Sequence, residues 1–534
     1  MKIKSFSRLP LLLILFTGLS LSAQESLIEE EVREFVVVYS PREISLDPAH
    51  IYTTMESELS TALYEGLVSY HPFTMEPLPG VASHWEVSPD GLIYRFFLRE
   101  DALFNNGDQV QAQDFKNTWL RAIDPQIKAE YSFLFDVIKG VREFRQGQTE
   151  TELGIRVITD RILEVELEQP ASHFLKLLCH LSFAPLHPHY LETENWGKDS
   201  SLVSNGPFYI VSKNEEELLL LKNKLYWDHN KVELEQIRVR FIDDPAVITL
   251  EYNQGKIDWT NNWITAQLED KDSIVFNPLF ATSYFYFVCA ETPWSDERVR
   301  RGLALLLPWA EIRNEEILFK THRLIPPFST YPEVAGITET DLEEGLSLLE
   351  QAGFPGGRGL PPLYIKVARD SESLRIAEQM TAAWRENTAL EIEIKSYEYE
   401  KYLLEVKKND YQLGSVTWIG DYADPLTFLQ MWIKGSNLND ARFSDSEYEE
   451  MINQSMGEHS AARYKKLAQA EELLLNKAVV LPINHAPAFN LIDLESIGGW
   501  YPNVLNIHPF RYIYFKEKSL PPGIVLISGS QLFQ

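Results

Sequence analysis

Two carboxylates three residues apart, Asp421 and Asp424, stand in residues 418–429, WIGDYADPLTFL. The segment follows a strand-like run and precedes an apolar run of helical character. Asp424 has an ordinary structural use. Pro425 suits the first position of a helix, and an Asp immediately before it suits the N-cap. Asp421 has no such use. It lies in the turn between Gly420 and Tyr422, with Trp418 close by in sequence. A carboxylate enclosed by aromatic groups is costly unless a cation or several donors meet it. Two arrangements satisfy it: an Asx-turn closed on the local backbone, or a cationic ligand.

The elements before this turn place it. Residues 363–367 read as a strand, 373–385 as a helix and 390–394 as an alternating strand. That is a βαβ unit, which implies a parallel sheet with covering helices. A helix over 399–407 and a strand over 411–418 lead into the turn. Open α/β sheets bind ligands beyond the carboxyl ends of their strands, so Asp421 is expected at the mouth of a cleft. Residues 461–477 read as a long helix with Leu467, Ala470 and Leu474 on one stripe.

The earlier chain alternates strands, turns and short helices. Residues 34–40 (EFVVVYS) are a β-branched strand. Residues 56–67 read as a helix with Leu59, Leu63 and Leu67 on one face. Pro89-Asp90-Gly91 is a turn before the strand 92–98, and Asp114 is read as the cap of a helix ending at Ile123. Residues 157–167 form a strand pair around Asp160-Arg161, and 203–210 with 217–222 read as a hairpin arm. Residues 283–289 are a strand. Arg298, Arg300 and Arg301, beside Asp296 and Glu297, read as a solvated helix face rather than an anion site. Thr340 opens a capping box with Glu343.

The chain has 534 residues, 45% hydrophobic and 12% aromatic, which suits two or three globular domains rather than one core. Residues 1–23 read as an export signal: Lys2, Lys4 and Arg8, then an apolar run over 9–21, then Ser22-Ala23. The run is too short to span a membrane well. No cysteine lies near the expected cleavage at Ala23, so a lipid anchor is not indicated. Without residues 1–23, 46 basic residues face 78 acidic ones, a net charge of −32. Such acidity argues against nucleic acid and anionic membrane surfaces as partners. Cys179 and Cys289 sit in apolar runs and read as buried thiols. The twelve histidines are scattered. His187-Pro188-His189 lacks a third ligand by sequence. No phosphate loop, nucleophile elbow or HExxH motif is present, so neither enzyme chemistry, a cofactor nor a metal is expected.

The motifs in order resemble the oligopeptide- and dipeptide-binding proteins that feed ABC importers. The resemblance runs from about residue 36 to about residue 517. Its most specific part is residues 77–115, with Ala82-x-x-Trp85, the Asp90-Gly91 turn, the aromatic strand LIYRFFL and Asp114-Phe115. It implies an α/β, bilobed periplasmic-binding-protein fold of the class with an extra domain, with mixed sheets, covering helices and a two-crossover hinge. Residues 24–57, 180–280 and 488–534 would form lobe I, 58–179 an inserted domain packed on it, and 281–487 lobe II. It implies a monomeric periplasmic protein that encloses a peptide between lobes and docks on the transmembrane subunits of an ABC permease. Asp421 falls on the family's aspartate for the peptide α-ammonium. Trp418 and Ile419, Tyr52, Thr53 and Thr54, Tyr131, Asn205, Tyr284 and Tyr399 are the further ligand-binding positions it implies.

The chain also departs from that pattern. The family arginine and histidine that meet the peptide carboxylate fall on Ser415 and Ser373. A pocket tryptophan falls on Tyr399 and a pocket tyrosine on Ala486. Amine recognition is kept and carboxylate recognition is not, with Arg369, Arg375 or Lys407 as the nearby replacements. The alternatives are the same fold holding an oligosaccharide or metal chelate, on stacked Trp418, Tyr399 and Tyr131, and a periplasmic receptor or holdase without a permease.

Overall fold

Strand alternation and helix capping assign the chain to three main sheets. The structure is a computed structural model that describes residues 33–517 apart from 149, 192–195, 197–201, 315–318, 329, 409 and 459. The expected export signal and the tail from residue 518 lie outside the described residues.

The first sheet has seven strands, in the order Ile274–Pro278, Pro487–Ile492, Trp259–Thr260, Phe35–Tyr39, Gln236–Phe241, Glu217–Lys222 and Phe208–Lys213. The β-branched strand Phe35–Tyr39 pairs parallel with both of its neighbours. In Glu217–Lys222, Leu218 and Leu220 are buried while their neighbours keep solvent contact, the period-two pattern of a sheet with one packed face. A second, antiparallel sheet of four strands spans Ala82–Val87, Ile93–Leu98, Ile162–Glu166 and Ile155–Thr159. The helix Ala112–Ile123 buries Phe115 and Trp119, and the Trp119 indole donates to the Phe183 carbonyl at 2.9 Å.

The third sheet has six strands, in the order Phe319–Lys320, Val480–His485, Ala281–Phe287, Leu413–Ile419, Leu363–Ala368 and Ile392–Tyr397. The expected βαβ unit is present, with Leu363–Ala368 and Ile392–Tyr397 parallel and joined by the helix Ser371–Asn387. The helix Ser460–Asn476 buries Leu467, Ala470 and Leu474 completely. The chain passes between the seven- and six-stranded sheets twice, once at residues 279–280 and once at Ala486.

Several expectations shift on local grounds. The helix read over 56–67 runs Thr54–Leu63, because Thr53 and Glu56 form a capping box that starts it two residues earlier. Asp114 is not the cap of its helix but the third residue. It accepts from the Gln111 N–H at 2.8 Å and so completes a box that opens at Gln111. Asp341 rather than Thr340 caps Leu342–Gln351, leaving the Thr340 hydroxyl to donate to the Leu307 carbonyl. Arg300 is not on a solvated face. It is 2% exposed and donates to the Trp294 and Lys477 carbonyls, while Arg298 pairs with Asp296 at the surface. Cys179 is buried, Cys289 is partly so, and burial raises both thiol pKa values.

Candidate functional site

The site is assembled from a pinned loop, a strand edge and a turn. The loop precedes the helix Thr54–Leu63. Buried Glu56 accepts from the N–H groups of Ser45 (2.8 Å), Tyr52 (3.1 Å) and Thr53 (2.9 Å) and from the Thr53 hydroxyl (2.9 Å). Asp47 holds the same loop through a bidentate pair with Arg121 at 2.6 and 3.0 Å. Tyr52, Thr53 and Thr54 are therefore presented by a fixed backbone.

Opposite the loop runs Leu413–Ile419. One edge pairs along its whole length with Ala281–Phe287. On the other edge, Leu363–Ala368 reaches only Leu413 and Gly414. The Tyr402 hydroxyl then accepts the Ser415 N–H at 3.1 Å and donates to the Ser415 carbonyl. From Val416 onward that edge pairs with no strand among the described residues. Residues 416–421 instead line a cavity of about 440 Å³ together with Tyr52, Thr53, Thr54, Tyr131, His180, Arg42 and Tyr399. An unpaired strand edge beside a cavity is a template for an extended backbone, because its N–H and C=O groups need partners.

Asp421 sits where this edge ends. Its N–H donates to the Thr427 hydroxyl at 2.9 Å, and that hydroxyl donates to its carboxylate at 3.1 Å. Tyr70 donates to its carbonyl at 3.0 Å. Burial pushes its carboxyl up to about 7, against the Thr427 and Tyr131 hydroxyls that hold it down. Desolvation outweighs the two donors, so the carboxylate lacks the positive charge that would keep it ionised. Tyr131 stacks obliquely on His180, with ring centroids 4.5 Å apart, and faces Tyr52 at 6.5 Å. Burial pushes His180 down to about 4, so it is neutral at pH 7. Trp418 is 5% exposed, and its indole N–H has no hydrogen-bond acceptor among the described residues.

Asp424 differs from its neighbour. It accepts from the Leu426 N–H at 3.0 Å, as a capping residue would, although the helix Leu426–Leu429 takes Pro425 as its cap. Its main partner is Arg463, 39 residues on, at 2.7 and 2.8 Å in a buried bidentate pair. Burial acts to raise the Asp424 pKa, but Arg463 holds it below the usual carboxylate range. Arg463 also faces His173, whose pKa burial and that guanidinium push down to about 3.

Eight of the ten sequence-derived positions meet at the cavity: Asp421, Trp418, Ile419, Tyr52, Thr53, Thr54, Tyr131 and Tyr399. Two do not. Asn205 is buried elsewhere, with its amide exchanging bonds with the Glu65 backbone at 2.8 and 3.2 Å, so the loop it closes uses up its polar atoms. Tyr284 lies behind the strand in a void of about 30 Å³, its hydroxyl on the Met431 sulfur at 3.8 Å. None of Arg369, Arg375 and Lys407 lines the cavity. Arg369 pairs with Glu398, Lys407 with Asp440, and Arg375 donates to Gln379. Sequence reasoning missed Arg42, His180 and Thr427. Each stands alone in its segment with no periodic signal, and only Thr427, six residues past Asp421 in the helix Leu426–Leu429, was within reach of local inspection.

Comparison with known proteins gives the chain's relatives. The family model for bacterial extracellular solute-binding proteins, family 5 Middle, matches residues 76–440. The periplasmic oligopeptide-binding protein OppA of Escherichia coli K12 is 28% identical over 483 residues, 85% of this chain and 87% of the relative. A periplasmic oligopeptide-binding protein of Borrelia burgdorferi superposes with a TM-score of 0.80 at 25% identity, over 90% of this chain and 99% of that one. The murein tripeptide-binding protein MppA of E. coli gives 0.80 at 25% identity, over 91% of this chain and 99% of that one. Its unliganded open form gives 0.64 over 91% and 98%.

Proposed function

Because the chain belongs to the bacterial extracellular solute-binding proteins of family 5, we propose that it captures a peptide in the cavity between its lobes and delivers it to an ABC-type permease. The observation that carries this is the pairing of an unpaired strand edge, 416–419, with an enclosed carboxylate at its end. The edge suits a peptide main chain, and Asp421 suits its α-ammonium. A neutral sugar would leave the carboxylate buried without a counter-charge.

In this reading Trp418, Ile419, Tyr52, Thr53, Thr54, Tyr131 and Tyr399 enclose the ligand. Lobe I takes the seven-stranded sheet, with 58–179 as an inserted domain, and lobe II takes the six-stranded sheet over 281–487. The two passages at residues 279–280 and Ala486 serve as the hinge, and a ligand stabilises the closed state by what it binds better there. The protein works outside the cytoplasm as a monomer, exported by a signal cleaved near Ala23.

The test is isothermal titration with a panel of di- to pentapeptides and of neutral oligosaccharides. Saturable binding of peptides alone is expected. Binding of an oligosaccharide with no response to any peptide overturns the reading.

A further inference from the structure

A second cavity, of about 510 Å³, shares no described lining residue with the first and sits on the passages between the two large sheets. Leu279 and Phe280 of one passage and Ala486 of the other line it. Pro326, Pro327 and Phe328 add to its apolar wall. Their segment is held in place. Buried Glu471 accepts from the N–H groups of Leu324 at 2.8 Å and Ile325 at 2.9 Å and from the Tyr331 hydroxyl at 2.9 Å. The Thr282 hydroxyl donates to the Leu324 carbonyl at 2.7 Å.

Arg323 begins that segment and lines the cavity half-buried. Of the described residues on its wall, Lys320, Arg323 and Glu333 are charged at neutral pH, and none of the three has an ion-pair partner among the described residues. Two histidines on the wall are neutral there. Burial and the Arg323 charge lower the pKa of His322, and they push that of His485 down to about 4. The cavity is therefore net cationic in a strongly acidic protein. We infer that it is a second ligand site, for a small carboxylate with an apolar body. A guanidinium offers a planar carboxylate two parallel donors, and the aromatic and proline surface takes the body. Glu333 on the same wall disfavours a dianion such as phosphate.

Phe280 connects this cavity to the first. Its N–H donates to the Val504 carbonyl at 2.8 Å, and its carbonyl accepts the Gly420 N–H at 2.9 Å. Gly420 lines the first cavity, and Val504, on the wall of the second, precedes Leu505 on the wall of the first. The peptide reading above makes the two passages a hinge, and this step rests on that reading. A cavity walled by both passages changes shape as the lobes rotate, so its occupant binds one arrangement of the lobes better than others. Both cavities exist in the same arrangement. Coupling between two sites is reciprocal, so filling the second raises affinity at the first.

Isothermal titration of benzoate, benzamide and inorganic phosphate against the wild type, Arg323→Gln and Arg323→Lys tests the site. Benzamide keeps the shape of benzoate without its charge. Arg323 has no ion-pair partner among the described residues to lose, so both variants should fold. The wild type should bind benzoate about tenfold more tightly than benzamide, and more tightly than phosphate. In Arg323→Gln the preference over benzamide should fall below about threefold, and Arg323→Lys should keep part of it. An equal preference in the wild type and Arg323→Gln overturns the inference, as does a wild type that ignores benzoate or prefers phosphate. Titrating the tightest binder of a di- to pentapeptide panel with and without saturating benzoate reads the coupling. A gain of about fivefold is expected in the wild type, and none in Arg323→Gln. Unchanged peptide affinity in a wild type that binds benzoate overturns the coupling and leaves the site standing. If no peptide binds while benzoate binding depends on Arg323, the peptide reading fails and the site stands.

Discussion

Asp421→Asn is the perturbation that separates an amine-binding carboxylate from a merely buried one. The substitution nearly preserves volume, and the Thr427 hydroxyl can still donate to the side-chain oxygen it meets at 3.1 Å. What it removes is the counter-charge. A ligand ammonium is then desolvated without its partner, at about 2–5 kcal/mol for a buried charge pair. That is roughly 30- to several-thousand-fold in affinity. N-acetylation deletes the same interaction from the ligand's side and should cost the wild type a similar factor. In Asp421→Asn, acetylation should cost much less, because the two changes remove one contact. The empty protein should move the other way. A carboxyl raised from 3.8 to about 7 stabilises the fold less and less as pH rises from about 4 to about 7, since the unfolded chain releases the proton first. The cumulative cost is at most about 4 kcal/mol, at about 1.4 kcal/mol per pH unit. Asparagine avoids it, so the variant should melt at the wild-type temperature near pH 4 and higher above pH 7. Isothermal titration with free and acetylated peptides, and thermal melts from pH 4 to 8, measure both halves. If the two losses in affinity simply add, Asp421 does not hold the amine.

Three further outcomes follow from the same geometry. Peptide affinity should peak between about pH 7 and 8, because a protonated Asp421 must lose its proton below about 7 and a peptide amine loses its own above about 8; a flat profile from pH 5.5 to 7 in titrations would contradict an enclosed acid at that position. Asp424→Asn should lower stability by about 3–5 kcal/mol in urea denaturation, because the buried Arg463 loses its bidentate partner; a change under about 1 kcal/mol would mean the helix cap is its main role. Asn205→Ala should cost about 1–3 kcal/mol of stability through the unmet Glu65 backbone groups while leaving peptide affinity unchanged, and a selective loss of affinity in titrations at full folding would return Asn205 to the site.

The local pattern of the chain was enough to place Asp421 at the carboxyl end of a strand, because the βαβ unit and the strand over 411–418 follow from hydrophobic period and turn residues alone. The family resemblance, not local pattern, supplied the ten expected positions, and eight of them, on the four segments 52–54, 131, 399 and 418–421, meet at the cavity. Local pattern did not settle which carboxylate is structural and which is open. Asp424 looked like a plain helix cap, and its Arg463 partner comes from a helix 39 residues later. Nor could it separate Asn205 and Tyr284 from the site, because a buried polar side chain takes its role from whichever backbone packs against it. Arg42 shows the same limit from the other direction. As a lone cation after a strand it has no periodic signature, and it becomes a site residue only when the seven-stranded sheet carries it across the cavity to Tyr399. Local propensity and pattern act over a few residues and fix elements and their ends. Which buried charges pair, and which side chains come to line one cavity, depends on which elements tertiary packing sets face to face, and that was decided only by the fold.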